Sequence, residues 1–488
     1  MKPVLLIDFG STYTKVTAVD VEEEKLLGTA ASFTTIFTDI NEGLNDAVRK
    51  LEEKTGKLDF SERYACSSAA GGLKMISSGL VPELTAEAAK MASLGAGAKV
   101  IKVYSFKLTE DDADEIRAAK PDIMLLVGGT DGGNSDCILH NAGVIAGIED
   151  PFPVIIAGNR GAARECERIL SPTHKAYICE NVMPKFDQLN ILPTQKQIRD
   201  IFLERIITAK GLSKASDLIS GIVNPTPAAV MRGIKLLAEG TGDEPGIGEL
   251  LAVDVGGATT DVYTVCDGRP TKGNTVFKGL PEPYEKRTVE GDIGMRYSIK
   301  GIVLASGIEK ISELSGIPAD RCEEMIEHLA GHTDEVPTSD EWERLDYALA
   351  SMAIDTAVDR HAGHITEAYT LMGLSFIQHG KDLSNIHRII VTGGSLIHTR
   401  RTDEIAAHAL YCAQSPYSLR PVRADILVDR SYIIAAMGLL SEHYPKAALR
   451  IMKKELENLG TVISPDLGSQ REDKGFIPDA GPGQCHGF

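Results

Sequence analysis

Two stretches place an acidic residue where an apolar run gives way to glycine and hydroxyl side chains. They are Val4-Leu-Leu-Ile-Asp-Phe-Gly-Ser-Thr-Tyr-Thr-Lys15 and Leu250-Leu-Ala-Val-Asp-Val-Gly-Gly-Ala-Thr-Thr-Asp261. Each apolar run reads as a buried strand. The glycines beyond it tolerate the backbone angles of a tight turn and leave room for N–H groups to approach a phosphate. Asp8 and Asp254 fall where the strands run out, suited to hold waters on Mg²⁺, a hard cation that keeps its water shell. Lys15 would place a cation beside a polyphosphate; the plain alternative is a solvated lysine at a strand end. One copy is weak. Two copies point to two similar lobes closing on one nucleotide.

Further glycine turns follow other apolar runs. Gly128-Gly-Thr-Asp-Gly-Gly133 and Gly158-Asn-Arg-Gly161 fall after short strands, on the side where ligands sit in open parallel sheets, so Gly128 and Gly129 are binding candidates, with a simple tight turn as the alternative. Val391-Thr-Gly-Gly-Ser395 brings another strand into a turn. His361 and His364, with Asp355 and Asp359 nearby, imitate a metal pair, but a polar helix face accounts for them and no third ligand has fitting spacing. Cys66 and Cys137 read as small buried fillers. Cys485-His486 offers at most an adventitious metal contact. No Gly-x-x-x-x-Gly-Lys-Ser/Thr run exists, which excludes a P-loop enzyme.

The elements that must position these residues alternate in two ways. Residues 4–32 read as three strands joined by tight turns, and residues 82–180 as helices and strands in turn, which implies right-handed βαβ units. Thr109 and Asp112 form a capping box before one of these helices. Residues 319–378 read as a helical layer. Glu239–Gly248 is the best linker in the chain. The domain reading is therefore 1–245, with extra βαβ units at 82–180; 246–459, with the helical layer at 319–378; and a mobile tail at 460–488.

A chain of 488 residues is long for one core and prompts two or three domains. A net charge of −18 argues against nucleic-acid and anionic-membrane partners. No run reaches the length of a membrane span. The eight scattered cysteines lack any Cys-x-x-Cys pair and read as reduced thiols of a cytoplasmic protein.

Taken in order, Asp8-x-Gly10 with Lys15, Asn224-Pro-Thr-Pro-Ala-Ala-Val-Met-Arg-Gly233, Asp254–Asp261, Val391–Ser395 and Ala435-Ala-x-Gly438 resemble the phosphate-1, connect-1, phosphate-2, adenosine and connect-2 motifs of the actin, Hsp70 and sugar-kinase superfamily. The resemblance implies an α/β, ribonuclease H-like fold in two actin-like lobes with the nucleotide cleft between them. It implies ATP and Mg²⁺ as cofactors, with Asp8 and Asp254 on the metal through water. Gly10, Ser11 and Thr12, and Gly256, Gly257, Ala258 and Thr259, would grip the phosphates, with Thr14 and Thr260 beside them. Gly393, Gly394 and Ser395 would line the adenosine. The two small-residue helices would form a hinge.

Four stretches carry a closer resemblance: Leu5–Val16, Leu125–Asn134, Glu180-Asn-Val-Met-Pro184 and Val289-Glu-Gly-Asp-Ile-Gly-Met-Arg296. They are similar to the glutamate mutase accessory proteins called MutL or GlmL. That family is associated with adenosylcobalamin-dependent carbon-skeleton mutases, so the resemblance implies an ATP-driven chaperone or reactivating factor with mutase subunits as partners. The partner would sense lobe motion through 82–180 or 319–378. One position departs from the Hsp70-like pattern. Asn224 stands where those proteins carry a glutamate that orients the attacking water. An amide can orient water but cannot take its proton. Slow hydrolysis follows, with Asp254 or Asp261 as any base. A sugar-kinase-type phosphotransferase and a non-hydrolysing ATP-dependent scaffold remain as alternatives.

Overall fold

The computed structural model describes residues 1–10, 13–35, 40–67, 73–209, 224–333, 335, 339–371, 373–464 and 466. The first sheet is built from β1 (Pro3–Phe9), β2 (Tyr13–Asp20), β3 (Lys25–Phe33), β4 (Glu62–Ser67) and β10 (Asn224–Pro225), with α1 (Ile40–Thr55) before β4. Its order is β10-β4-β1-β2-β3: β1, β2 and β3 form an antiparallel meander, and β4 and β10 add in parallel. Val4, Leu5, Leu6, Ile7 and Phe9 are buried, as an unbroken apolar run must be at the centre of a covered sheet.

The second half repeats this plan. β11 (Leu250–Val255), β12 (Thr260–Val265), β14 (Glu285–Glu290), β17 (Arg388–Thr392), β18 (Arg423–Val428) and β19 (Glu457–Ile463) form a sheet of order β14-β12-β11-β17-β18-β19. Its first five strands match β3-β2-β1-β4-β10 in order and in direction. The fold is therefore the two-lobed actin-like arrangement expected from the motifs.

Between β4 and β10 lies a separate parallel sheet. It comprises β5 (Lys74–Gly79), β6 (Lys99–Ser105), β7 (Ile123–Leu126), β8 (Val154–Ile156) and β9 (Ala176–Ile178), in the order β6-β5-β7-β8-β9. Helices α2 (Glu87–Gly95), α3 (Glu110–Ala119), α4 (Asp136–Ala146) and α5 (Arg160–Leu170) make the crossovers, and α6 (Leu192–Ala209) follows. β5 lies ahead of the 82–180 bounds read from the sequence. Its buried Ser77 and Ser78 break the apolar pattern, because they face Ser93 and Asn141 as hydrogen-bond partners. The capping box on α3 is present, with the Thr109 side chain accepting from the Asp112 N–H and the Asp112 carboxylate from the Thr109 N–H.

Two corrections concern the second half. The helical layer begins earlier than expected, with α8 (Ile299–Ser306) and α9 (Ile308–Ser315), and continues through α10 (Ala319–Gly331) and α11 (Asp340–His361). It ends there. Residues 364–378, read as helix, instead form most of β15 (His364–Thr370) and β16 (Gly373–His379), which join β13 (Thr275–Phe277) in a small sheet. His-Ile-Thr-Glu-Ala-Tyr has the two-residue alternation of a strand. The tail is the second correction. Residues 460–463 belong to β19, paired along β18, and residues 467–488 lie outside the described residues.

The remaining helices are α7 (Thr226–Glu239), α12 (Gly394–Ile397), α13 (Thr402–Ala407), α14 (Ile434–Leu440) and α15 (Pro445–Glu455). α7 and α14 cross at glycines. A Cβ on Gly438 would stand 1.8 Å from the Ala229 carbonyl oxygen, and one on Gly233 2.5 Å from that of Ile434. One apolar cluster joins these helices to Val4 and Leu6 of the first sheet and Leu250 and Ala252 of the second. Among the described residues no helix is long and apolar enough to cross a membrane.

Candidate functional site

The two Asp-x-Gly stretches form matching hairpin turns. The Gly10 N–H donates to the Tyr13 carbonyl at 3.0 Å, and the Gly256 N–H to that of Thr259 at 2.9 Å. A Cβ at Gly10 would lie 2.5 Å from the Tyr13 oxygen, so the turn closes only around glycine. Ser11 and Thr12 lie outside the described residues. The Gly256–Thr259 turn is propped from behind: the Met295 N–H donates to Gly256 O, and the Arg296 and Tyr297 N–H groups to Gly257 O. Thr14 and Thr260 occupy matching register positions but are buried; neither lines the cavity described next. Thr14 bonds to Thr34 at 3.1 Å.

Between the two sheets lies a cavity of about 50 Å³, walled by Asp8, Lys15, Thr226, Asp254, Thr392, Asp429 and Tyr432 among others. Asp8 accepts from Thr226 Oγ1 at 2.6 Å and from the Cys66 thiol at 3.4 Å. Lys15 crosses the cleft, its Nζ 3.5 Å from the centre of the Tyr432 ring. Burial, then the Asp261 carboxylate, push the Asp254 carboxyl up to about 6, against the pull of Lys15. Asp429 is the residue that sequence reasoning missed. Its carboxylate caps α14 by accepting from the N–H groups of Ile433 and Ile434 at 2.9 and 3.0 Å, and burial raises its pKa. Its signal was present: Ala424-Asp-Ile-Leu-Val-Asp429 is a third apolar run ending in aspartate.

These walls fit a hydrated Mg²⁺. The donors are carboxylate oxygens, which a hard cation takes through water, and the cavity holds only a few water-sized groups. Asp8, Asp254 and Asp429 face it with Lys15 as the cation among its lining residues. A divalent ion would relieve that excess of buried negative charge.

Other candidates take different places. Asp261 pairs with Arg287 at 2.6 Å and accepts from Thr259 Oγ1 at 3.3 Å. Asn224 does not line the cavity; its amide donates to Glu442 at 3.3 Å. Gly393 has φ +112 and a Cβ there would lie 2.2 Å from Val255 O, so only glycine lets β17 turn beside the end of β11. Gly394 and Ser395 then open α12. Gly128 and Gly129 are not brought to this cavity: they follow β7 in the parallel sheet, where Asn181 Nδ2 donates to Gly129 O at 3.0 Å.

His361 is no metal ligand. It is buried, with its ring nitrogens 2.9 and 2.8 Å from Thr264 and Thr288 hydroxyls. His364 lies on β15 rather than beside it on a helix, and Asp355 and Asp359 serve Arg420. Cys66 and Cys137 are buried, as expected. Among the described residues His328, His332 and Glu335 could close on an ion, but all three are exposed. Ring stacking and a 2.9 Å bond from His332 Nδ1 to the His328 carbonyl already hold that cluster.

Residues 4–456 match a family model described as MutL protein. Protein MutL of Clostridium tetanomorphum is 48% identical over 459 residues, covering 93% of this chain and 99% of that protein. Component A of the (R)-2-hydroxyglutaryl-CoA dehydratase of Acidaminococcus fermentans aligns over 92% of this chain and 100% of its own, at 10% identity and a TM-score of 0.31. Xylulose kinase of Bifidobacterium adolescentis aligns over 95% and 96%, at 11% and 0.34. The fold assignment rests on strand order.

Proposed function

Because the chain belongs to the MutL family, we propose that it is an ATP-binding, slowly ATP-hydrolysing accessory protein that reactivates an adenosylcobalamin-dependent mutase such as glutamate mutase. The observation that carries the nucleotide part is the paired clamp: Asp8 and Asp254, each at the end of a central strand, facing one cavity with Lys15 between the sheets. The partner rests on family membership.

Asp8 and Asp254 would hold Mg²⁺, which would supply positive charge against the phosphates. The N–H groups of Gly257 and Ala258 and the Lys15 ammonium would bind the phosphate oxygens from the two sheets. A γ-phosphate held by both turns favours the closed form, and its loss removes that preference. Of the two candidate bases Asp254 is the freer, since Asp261 is held by Arg287.

Product analysis tests the reading. Purified protein with Mg²⁺ and ATP should release ADP and free phosphate without an acceptor, faster when its mutase is added. Transfer to a sugar or acid would replace it with a kinase, and no turnover above background with a scaffold. The scaffold reading draws on Asn224, whose amide is turned to Glu442.

A further inference from the structure

We propose that Arg287 is a positioning residue linking the nucleotide hairpin to the parallel-sheet insert, and that the turn at residues 94–99 senses whether the clamp is closed. This rests on the nucleotide reading above.

Arg287, on β14, is 7% exposed and spans two parts of the fold. Its Nε and Nη2 hold Asp261 at 2.9 and 2.6 Å. Asp261 stands opposite Asp254 in the β11–β12 register, directly after the phosphate-type turn. The Nη1 of Arg287 donates to the carbonyls of Leu94 and Ala98, each at 3.4 Å. Those carbonyls belong to the last turn of α2 and the loop into β6, where a cation meets the negative end of a helix. A buried guanidinium satisfied from both sides cannot follow one part without pulling on the other.

The same turn also touches the first half of the clamp. A Cβ at Gly97 would sit 3.6 Å from the Cβ atoms of both Pro225 and Pro227. Those prolines flank Thr226, whose hydroxyl holds Asp8. Lys99 then packs over Gly291, in the loop that runs on to the props of Gly256 and Gly257. Residues 94–99 are therefore wedged between the supports of Asp8 and those of Asp254. Closure that changes the spacing of the two aspartates must move or compress this wedge, and through it the βαβ insert.

The test uses the full chain with Mg²⁺ and a saturating non-hydrolysable ATP analogue, read by hydrogen exchange over residues 87–105. Wild type should show altered protection there on nucleotide addition. Arg287→Gln should lose that response while keeping altered protection at the two hairpins, and Lys99→Ala should weaken it. Rescue by the conservative variant separates positioning from mere support. Arg287→Lys keeps the cation between Asp261 and the carbonyls of Leu94 and Ala98, so it should restore part of the response that Arg287→Gln loses. No rescue by Arg287→Lys, or a full response at 87–105 in both R287Q and K99A, overturns the proposal. So does a wild type that binds nucleotide without any change at 87–105. A wild type that binds no nucleotide at all refutes the nucleotide reading and the link with it.

Discussion

Asp254 carries a pH dependence with a definite sign. Burial, then the Asp261 carboxylate, push its carboxyl from 3.8 up to about 6 in the folded chain. The folded state therefore binds the extra proton between those values, and stability falls as pH rises through that window. Above it the ionised group costs on the order of 3 kcal/mol. Asp254→Asn should thus leave the metal-free protein as stable or more stable at pH 8 by thermal unfolding, while abolishing stabilisation by Mg²⁺ and nucleotide. Asp8→Ala removes the acceptor of Thr226 Oγ1 as well, and should cost stability besides binding. In wild type, Mg²⁺-nucleotide affinity should be flat above pH 7 and fall up to about tenfold per unit below 6, measured by titration calorimetry. Asn224→Glu should speed single-turnover hydrolysis if its repulsion by Glu442 turns the new carboxylate toward water. A slower variant refutes Asn224 as the cause of slow turnover.

The contact of α7 with α14 lies in the apolar cluster that joins the two large sheets. Gly438 leaves no room for a side chain, since a Cβ would lie 1.8 Å from Ala229 O. Gly438→Val should cost at least about 1–3 kcal/mol, read as a lower urea midpoint, because a packed helix contact cannot absorb extra methyl groups. Gly143 gives the contrast. It lies inside α4, and a Cβ there would meet nothing within 4 Å, so Gly143→Ala should stabilise by about 0.4–1 kcal/mol.

At the scale of the whole molecule, the helical layer is not an appendage. Leu345, Leu349, Ile354 and Val358 of α11 share one buried cluster with Val253, Val262 and Ile389 of the second sheet. The insert is also tied in, with Met75, Ile123 and Leu125 packed in one cluster with Leu5 and Ile7. Removing either segment would open a core, so partner contacts are better sought with surface substitutions. Closure itself is measurable: small-angle scattering should give a smaller radius of gyration with Mg²⁺ and a non-hydrolysable analogue than with Mg²⁺ alone. An unchanged radius would refute a nucleotide-driven hinge.

What the sequence determined by itself is local. Asp8, Asp254 and the glycines after them were legible because a buried strand and a tight turn each demand particular residue types within a few positions. The duplicated plan was legible because the pattern occurs twice. Tertiary structure decided what depends on partners distant in the chain. Ser77 and Ser78 hid β5, since only Ser93 and Asn141 make their burial tolerable. Asp429 reached the cavity wall because β18 lies beside β17, which lies beside β11. Asn224 turned to Glu442, 218 residues away, and Asp261 to an arginine that also reaches the insert. A side chain's type fixes what it can bond, but only the packed fold fixes what stands within reach.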